Sequence, residues 1–416
     1  MIIPVDMYRI TQIYPTRKLK SIEETIQREL DTCGLNRILN TGDSVAITAG
    51  SRGISNIVLI LEAVVRYVAS CGSCPTILSS MGSHGGGTVS GQLEVLKGLG
   101  ITEEKMGVPV VAGVETINIA GENGRACPVN RLAFNFDHII VINRIKPHTS
   151  FHGDHESGLL KMLAVGLGGP EGASVIHSPG VNQLAEAIPA AASVMLKKLP
   201  VAVGLAIVED AFDNTMDIRA VRPEDFVQTE RILLEEARRN MPRLPFDHID
   251  ILVVDEMGKT FSGTGLDTNI IGRLKIWGSP EPESPCIKRI VVLGLDPGSK
   301  GNAYGIGLAD FTTERLVKNI NREAMYKNAF TSTFTQRAMI PITLPDDRSA
   351  IMAAIDSLGT GKAGGIRLVR IKNTLHIESM MVSEPLAAEA RANKSLIVSE
   401  SPLPLSFDEN KNLLPF

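Results

Sequence analysis

Short apolar, β-branched runs alternate along this chain with longer stretches whose apolar residues repeat at helical spacing. The runs at 44–48, 75–81, 138–145, 201–208 and 249–255 predict strands, and the stretches at 56–69, 182–198 and 223–240 predict helices. The last of these opens with Pro223, Glu224 and Asp225, which suits a helix's first turn, where a missing N–H costs nothing and acidic groups meet unpaired donors. Strand–helix alternation of this kind predicts an α/β fold with mostly parallel sheets covered by helices. Beyond Asp255 a glycine-containing segment (EMGKTFSGTGLDTN) precedes a strand at 288–296 and helices at 313–327 and 347–357. Two further runs, 365–372 and 375–382, flank Asn373-Thr374 and predict a hairpin. These shifts place one domain at 1–255 and a second at 256–392, with a tail at 393–416 that packs back on the N-terminal domain or frays.

A length of 416 residues suits two or three domains. Aromatic residues make up only 4%, so the cores must be aliphatic, and a stacking platform for bases is not expected. With 42 basic against 46 acidic residues the net charge is −4, which argues against nucleic acid or a membrane surface as partner. The five cysteines (Cys33, Cys71, Cys74, Cys127, Cys286) are sparse and odd in number, as for reduced thiols. Cys71 and Cys74 form a CGSC pair with no second pair to complete a zinc site, so they read as thiols near a turn. The N-terminal MIIPVDMYRITQIYP lacks the pattern of a signal peptide, and no uninterrupted apolar stretch could span a membrane; a cytoplasmic location is expected.

The candidate chemistry is concentrated in histidines and glycines. Four of eight histidines (His148, His152, His155, His177) fall within thirty residues, and His84 lies in a glycine-rich turn, MGSHGGG. His84 and His148 both follow predicted strands, where the loops of α/β sheets form ligand crevices. Imidazole suits proton transfer near neutrality and metal ligation alike. The glycine turns at 50–53, 85–87 and 166–172 could cradle phosphate or serve only as tight turns. GTGKAGG at 359–365 fails as a Walker A loop because Ala363 stands where a Ser or Thr is needed, and Gly166, Gly168 and Gly172 miss the dinucleotide spacing by one residue. A zinc hydrolase is one alternative: Ser150-Phe151-His152-Gly153-Asp154-His155 resembles HxHxDH with its first histidine lost, which leaves His152, Asp154 and His155 as ligands.

A larger set of segments resembles the lactate racemase family. Pro147-His148 after HIIVINRI, then Ser157-Gly158-Leu159-Leu160-Lys161, is similar to the family's PH and SGG-R-K elements, and His177 lies sixteen residues past Lys161, as the family's nickel-binding histidine does. Gly82-Ser83-His84 resembles its G-T-H turn, Ala49-Gly50-Ser51-Arg52 its D-x-T-R element, and 266–275 its LDxNxYQxxK stretch. The resemblance implies two α/β domains with the active site in the cleft between them, the N-terminal one binding the cofactor. It implies an isomerase, a racemase or epimerase of a 2-hydroxy acid that uses a nickel-pincer nucleotide delivered by cofactor-maturation enzymes. By the same resemblance Lys161 would be the covalent link to the cofactor, His177 the nickel ligand, and Gly166 part of the cofactor site. His84 and His148 would be the two acid/base groups, and Arg52 and Lys275 would hold the substrate carboxylate.

Departures from the family pattern bear on the substrate. Three extra residues follow His148, Ala49 replaces an aspartate, Ile271-Gly272 replaces a Tyr-Gln pair, and Leu159-Leu160 replaces Gly-Arg. Polar groups that read a small substrate are thereby lost, so the substrate is expected to be a 2-hydroxy acid other than lactate. A non-catalytic carrier or sensor of the cofactor or of an organic acid is the remaining alternative; two acid/base histidines argue against it, since binding alone needs neither.

Overall fold

The computed structural model describes residues 5–121, 126–178, 180–359 and 365–416. Ala363 and most of GTGKAGG therefore lie outside the described residues. The chain forms two compact units, one of Pro15–Met241 and one that joins the N-terminal strand Asp6–Gln12 to Pro242–Phe416. Both are α/β, and parallel pairing predominates in their main sheets.

The Pro15–Met241 unit is built on a six-stranded sheet in the order Val110–Val111, Cys74–Ser79, Ser44–Ala49, His138–Arg144, Val201–Glu209, Thr215–Val221. Only the last strand runs antiparallel to its neighbour. Strand Ser44–Ala49 is buried from Val45 onward, as a central strand covered on both faces must be. Helix Ile57–Ser70 lays Ile60, Leu61, Val64, Val65 and Val68 on one face, and these join Val45, Ile47, Ile140 and Leu205 in a single aliphatic core. Each such side chain contributes about 1.5–3 kcal/mol by leaving water. From Ser44–Ala49 the chain winds outward through Cys74–Ser79 to Val110–Val111 and then returns to the opposite side of Ser44–Ala49 with His138–Arg144. The winding direction therefore reverses between Ser44–Ala49 and His138–Arg144. In open α/β sheets the carboxyl ends of such a pair leave an uncovered crevice.

The other unit carries a nine-stranded sheet. Five parallel strands, Ile342–Leu344, Phe311–Thr313, Cys286–Leu295, His248–Met257 and Leu368–Ile371, are continued by antiparallel Ser379–Ser383, Asp6–Gln12 and Leu396–Val398. Strand His248–Met257 lies inside this sheet, so the units divide at 241/242 rather than 255/256. The tail strands Leu396–Val398 and Leu403–Pro404 pair with Asp6–Gln12, which makes the tail part of this unit. The expected hairpin is an antiparallel pair with a longer connection: Ile371 opposes Met380, and residues 372–378 join them. Asn373 and Thr374 are buried in that connection instead of forming its tip; Asn373 Oδ1 accepts the N–H groups of Leu375 and His376.

Candidate functional site

Three loops leave the carboxyl ends of neighbouring parallel strands in the Pro15–Met241 unit. Gly50–Arg52 follows Ser44–Ala49, the glycine turn with His84 follows Cys74–Ser79, and Lys146–His148 follows His138–Arg144. Arg52 and His148 thus stand on either side of the reversal point. Ser51 Oγ is hydrogen-bonded to His84 Nδ1, which ties the first two loops together.

The third loop is closed at its base by a bridge in which Lys146 N–H donates to Ser157 O (3.0 Å) and Ser157 N–H to Lys146 O (3.2 Å). Inside it Glu156 is fully buried. One carboxylate oxygen accepts the His148 N–H; the other accepts from Arg238 Nη2 (2.5 Å) and Gly153 N–H (3.3 Å) and faces His152 Nδ1 (3.2 Å). These donors outweigh burial and hold the Glu156 carboxyl below its ordinary pKa. His148 lies against Phe151, ring centroids 4.4 Å apart, and the Lys161 ammonium stands 5.8 Å from the same Phe151 ring.

Lys161 begins a bent apolar element. Leu159–Lys161 runs into a π-helical turn, Met162–Leu167, and the chain bends by 113° before Gly169–His177. Gly169 has φ +64°, and a Cβ on Gly168 would stand 2.4 Å from Ala164 O, so the bend requires both glycines. The bend returns the second helix so that His177, at its end, comes within electrostatic range of Lys161. Burial, with the Arg52 charge added, pushes Lys161 down to about 7, against a partial counter-effect from Glu156. Burial, with Lys161 added, pushes His177 down to about 4, so its imidazole is neutral at physiological pH. Arg52 reaches solvent, and desolvation with the Arg144 charge lowers its pKa. Arg144 is paired with Glu209, whereas among the described residues no acidic side chain pairs with Arg52 or Lys161.

The structure thus gathers Arg52, His84, His148, Lys161 and His177 into one linked set within a single unit. Gly166 is buried under it, and a Cβ there would stand 2.6 Å from Met162 Sδ and 2.8 Å from Ser80 O. Lys275 belongs to the other unit, where its ammonium donates to Gly307 O (2.8 Å) and Ala309 O (3.3 Å). The three candidate zinc ligands part company: His152 faces Glu156, His155 faces Glu230 (3.6 Å), and Asp154 faces Arg231 (3.9 Å). No metal-binding group of three His, Cys, Asp or Glu exists among the described residues. Among them, too, no single helix is long and apolar enough to cross a membrane. Sequence reasoning missed Glu156, Phe151 and Ser51. The glutamate was visible only as part of HESGL, and nothing local announces that it turns inward.

Fold and site together define an α/β protein whose loops at the switch point of the six-stranded sheet carry Arg52, His84 and His148. No family model and no curated protein matches the chain. Among solved structures it is similar to a structural-genomics target protein from Thermotoga maritima, at 17% identity and TM-score 0.49, over 76% of this chain and 82% of that one. It is also similar to the lactate racemase apoprotein from Thermoanaerobacterium thermosaccharolyticum, at 13% identity and TM-score 0.47, over 93% of this chain and 96% of that one.

Proposed function

We propose that this chain is a racemase or epimerase of a 2-hydroxy acid, loaded with a nickel-pincer nucleotide by dedicated maturation enzymes. The observation that carries the reading is the grouping of Arg52, a Lys161 pushed down to about 7 and a neutral His177 beside the strand-end histidines His84 and His148. A cationic Arg52 beside an amine that burial largely deprotonates suits an anionic ligand on the one and covalent modification of the other.

The residues fit the cofactor on two counts. A lysine that forms a thioamide must be a free amine, and Lys161 at about 7 is largely one near neutrality. A nickel ligand must be a neutral imidazole, which His177 is. When bound, the group supplies an acceptor for the hydride of C2. The chain's own residues do the rest. Arg52 offers a planar fork to the substrate carboxylate and holds it while the rest of the molecule pivots. His84 and His148 face the substrate's hydroxyl and carbonyl oxygen, where the proton moves. The loss of the family's Tyr-Gln pair at Ile271-Gly272 favours an acid larger than lactate, such as a sugar acid.

The test is intact mass with nickel analysis on full-length protein matured in a host that makes the cofactor. The expected result is a covalent adduct lost in Lys161→Ala and nickel lost in His177→Ala. Adduct and stoichiometric nickel in both variants would overturn the assignment.

A further inference from the structure

Lys275 stands in the left-handed region of backbone space, with φ +46°. There the Cβ of an L-residue crowds its own backbone, so a lysine keeps this conformation only where its surroundings impose it. The peptide plane whose orientation sets that angle joins Leu274 to Lys275, and it is held at both poles. Its oxygen accepts from Arg337 Nε at 2.9 Å, and its N–H donates to Glu281 Oε1 at 2.8 Å. The other Glu281 oxygen accepts the Leu274 N–H, so one carboxylate spans two successive donors. Arg337 is fully buried and gives a fixed anchor. Glu281 is exposed, and a turn in which Ser279 N–H donates to Ile276 O (3.1 Å) leads the chain towards it.

The side chain of Lys275 is set as firmly as its backbone. The ammonium donates to Gly307 O (2.8 Å) and Ala309 O (3.3 Å). Arg273 holds the residue between those carbonyls, donating from Nη1 to Leu308 O (2.9 Å) and to Asp310 (2.8 Å). An ammonium has three donors, so these contacts leave one N–H of a partly exposed lysine for an outside acceptor. Burial, with the Arg273 charge added, lowers the Lys275 pKa, against partial counter-effects from Asp310 and Glu281.

We propose that Glu281 is a positioning residue. With Arg337 on the opposite pole, it fixes the Leu274–Lys275 peptide and so presents the remaining Lys275 N–H to the carboxylate of an acid substrate. That the acid is a 2-hydroxy acid undergoing inversion rests on the racemase reading; the hold on the backbone does not. A backbone clamp and a mere neighbouring charge act on Lys275 in opposite senses. Loss of the negative charge alone would lower the lysine's pKa further. Release of the peptide would let the ammonium leave its carbonyls for water, and relief of burial, the largest cause of the shift, would raise it.

The experiment is trace acylation of the full-length protein without cofactor, wild type and Glu281→Ala, across about pH 8–11.5, with Lys275 read by peptide mass spectrometry. The expected result is a wild-type midpoint below the ordinary lysine value of 10.5 and a Glu281→Ala midpoint moved up towards it. A midpoint that falls or stays in place in Glu281→Ala would overturn the proposal. In matured enzyme, Glu281→Ala should raise KM for the acid by about tenfold or more, the worth of one charge-assisted hydrogen bond, with nickel and adduct retained. A wild-type KM in that variant would overturn the link to substrate. Failure of wild-type enzyme to invert any 2-hydroxy acid would instead remove the racemase reading and leave the acylation result standing.

Discussion

Lys161 should behave as an amine and not as an ordinary ammonium. Its pKa is pushed down to about 7 by burial and by Arg52. At about pH 7.5 roughly three-quarters of it is neutral, against roughly 0.1% of a lysine at the ordinary 10.5, a ratio of about 760. A weaker base is a poorer nucleophile, and with a Brønsted slope of about 0.45, the thiol value, the shift costs about 40-fold. The net expectation for the amine itself is acylation about 20-fold faster than at a lysine of ordinary pKa. Trace labelling with an amine acylating reagent across about pH 5.5–9.5, read by peptide mass spectrometry, checks this. The Lys161 profile should be half-complete near 7, and Arg52→Met should move that midpoint upward because a like charge is removed. A Lys161 midpoint at the ordinary lysine value, unmoved by Arg52→Met, would refute the electrostatic account of the site.

Because the folded-state pKa of Lys161 lies below its ordinary value, the unfolded chain binds more protons between about 7 and 10.5, and this residue's contribution to stability rises with pH over that window. Lys161→Met should therefore gain most in Tm, relative to wild type, below pH 7, and denaturation scans at several pH values measure it. Gly166→Ala should lose about 1–3 kcal/mol even without cofactor, because its Cβ meets Ser80 O at 2.8 Å, as chemical denaturation would report. Alanine at His152, Asp154 or His155 should leave nickel stoichiometry in matured protein unchanged, since these side chains serve three separate partners.

Much of this architecture is legible in the sequence because it is local. The strand predicted at 44–48 is Ser44–Ala49, and the helix predicted at 56–69 is Ile57–Ser70, since an unbroken β-branched run and a helical apolar stripe each have one good burial solution. The stretch 313–327 misled: it holds two helices, Glu314–Lys318 and Arg322–Ser332, the second capped by Asn321. The domain boundary was not legible. Asp6–Gln12 and the tail meet across nearly the whole chain, and no local pattern records pairing at that separation. At the site, the strand-end histidines could be read from their position. Glu156 could not, because its role comes from Arg238 on a distant helix and from a loop that folds over it.

The hydride route is the central claim, and the fate of the C2 hydrogen tests it most directly. Matured wild-type protein is incubated in ordinary water with C2-deuterated 2-hydroxy acids, including sugar acids, and the product of inverted configuration is isolated and weighed. The account predicts that the inverted product keeps its deuterium, because a hydride held by a cofactor does not exchange with solvent. Inversion with extensive loss of deuterium to water would mean that C2 is deprotonated, and would contradict the account.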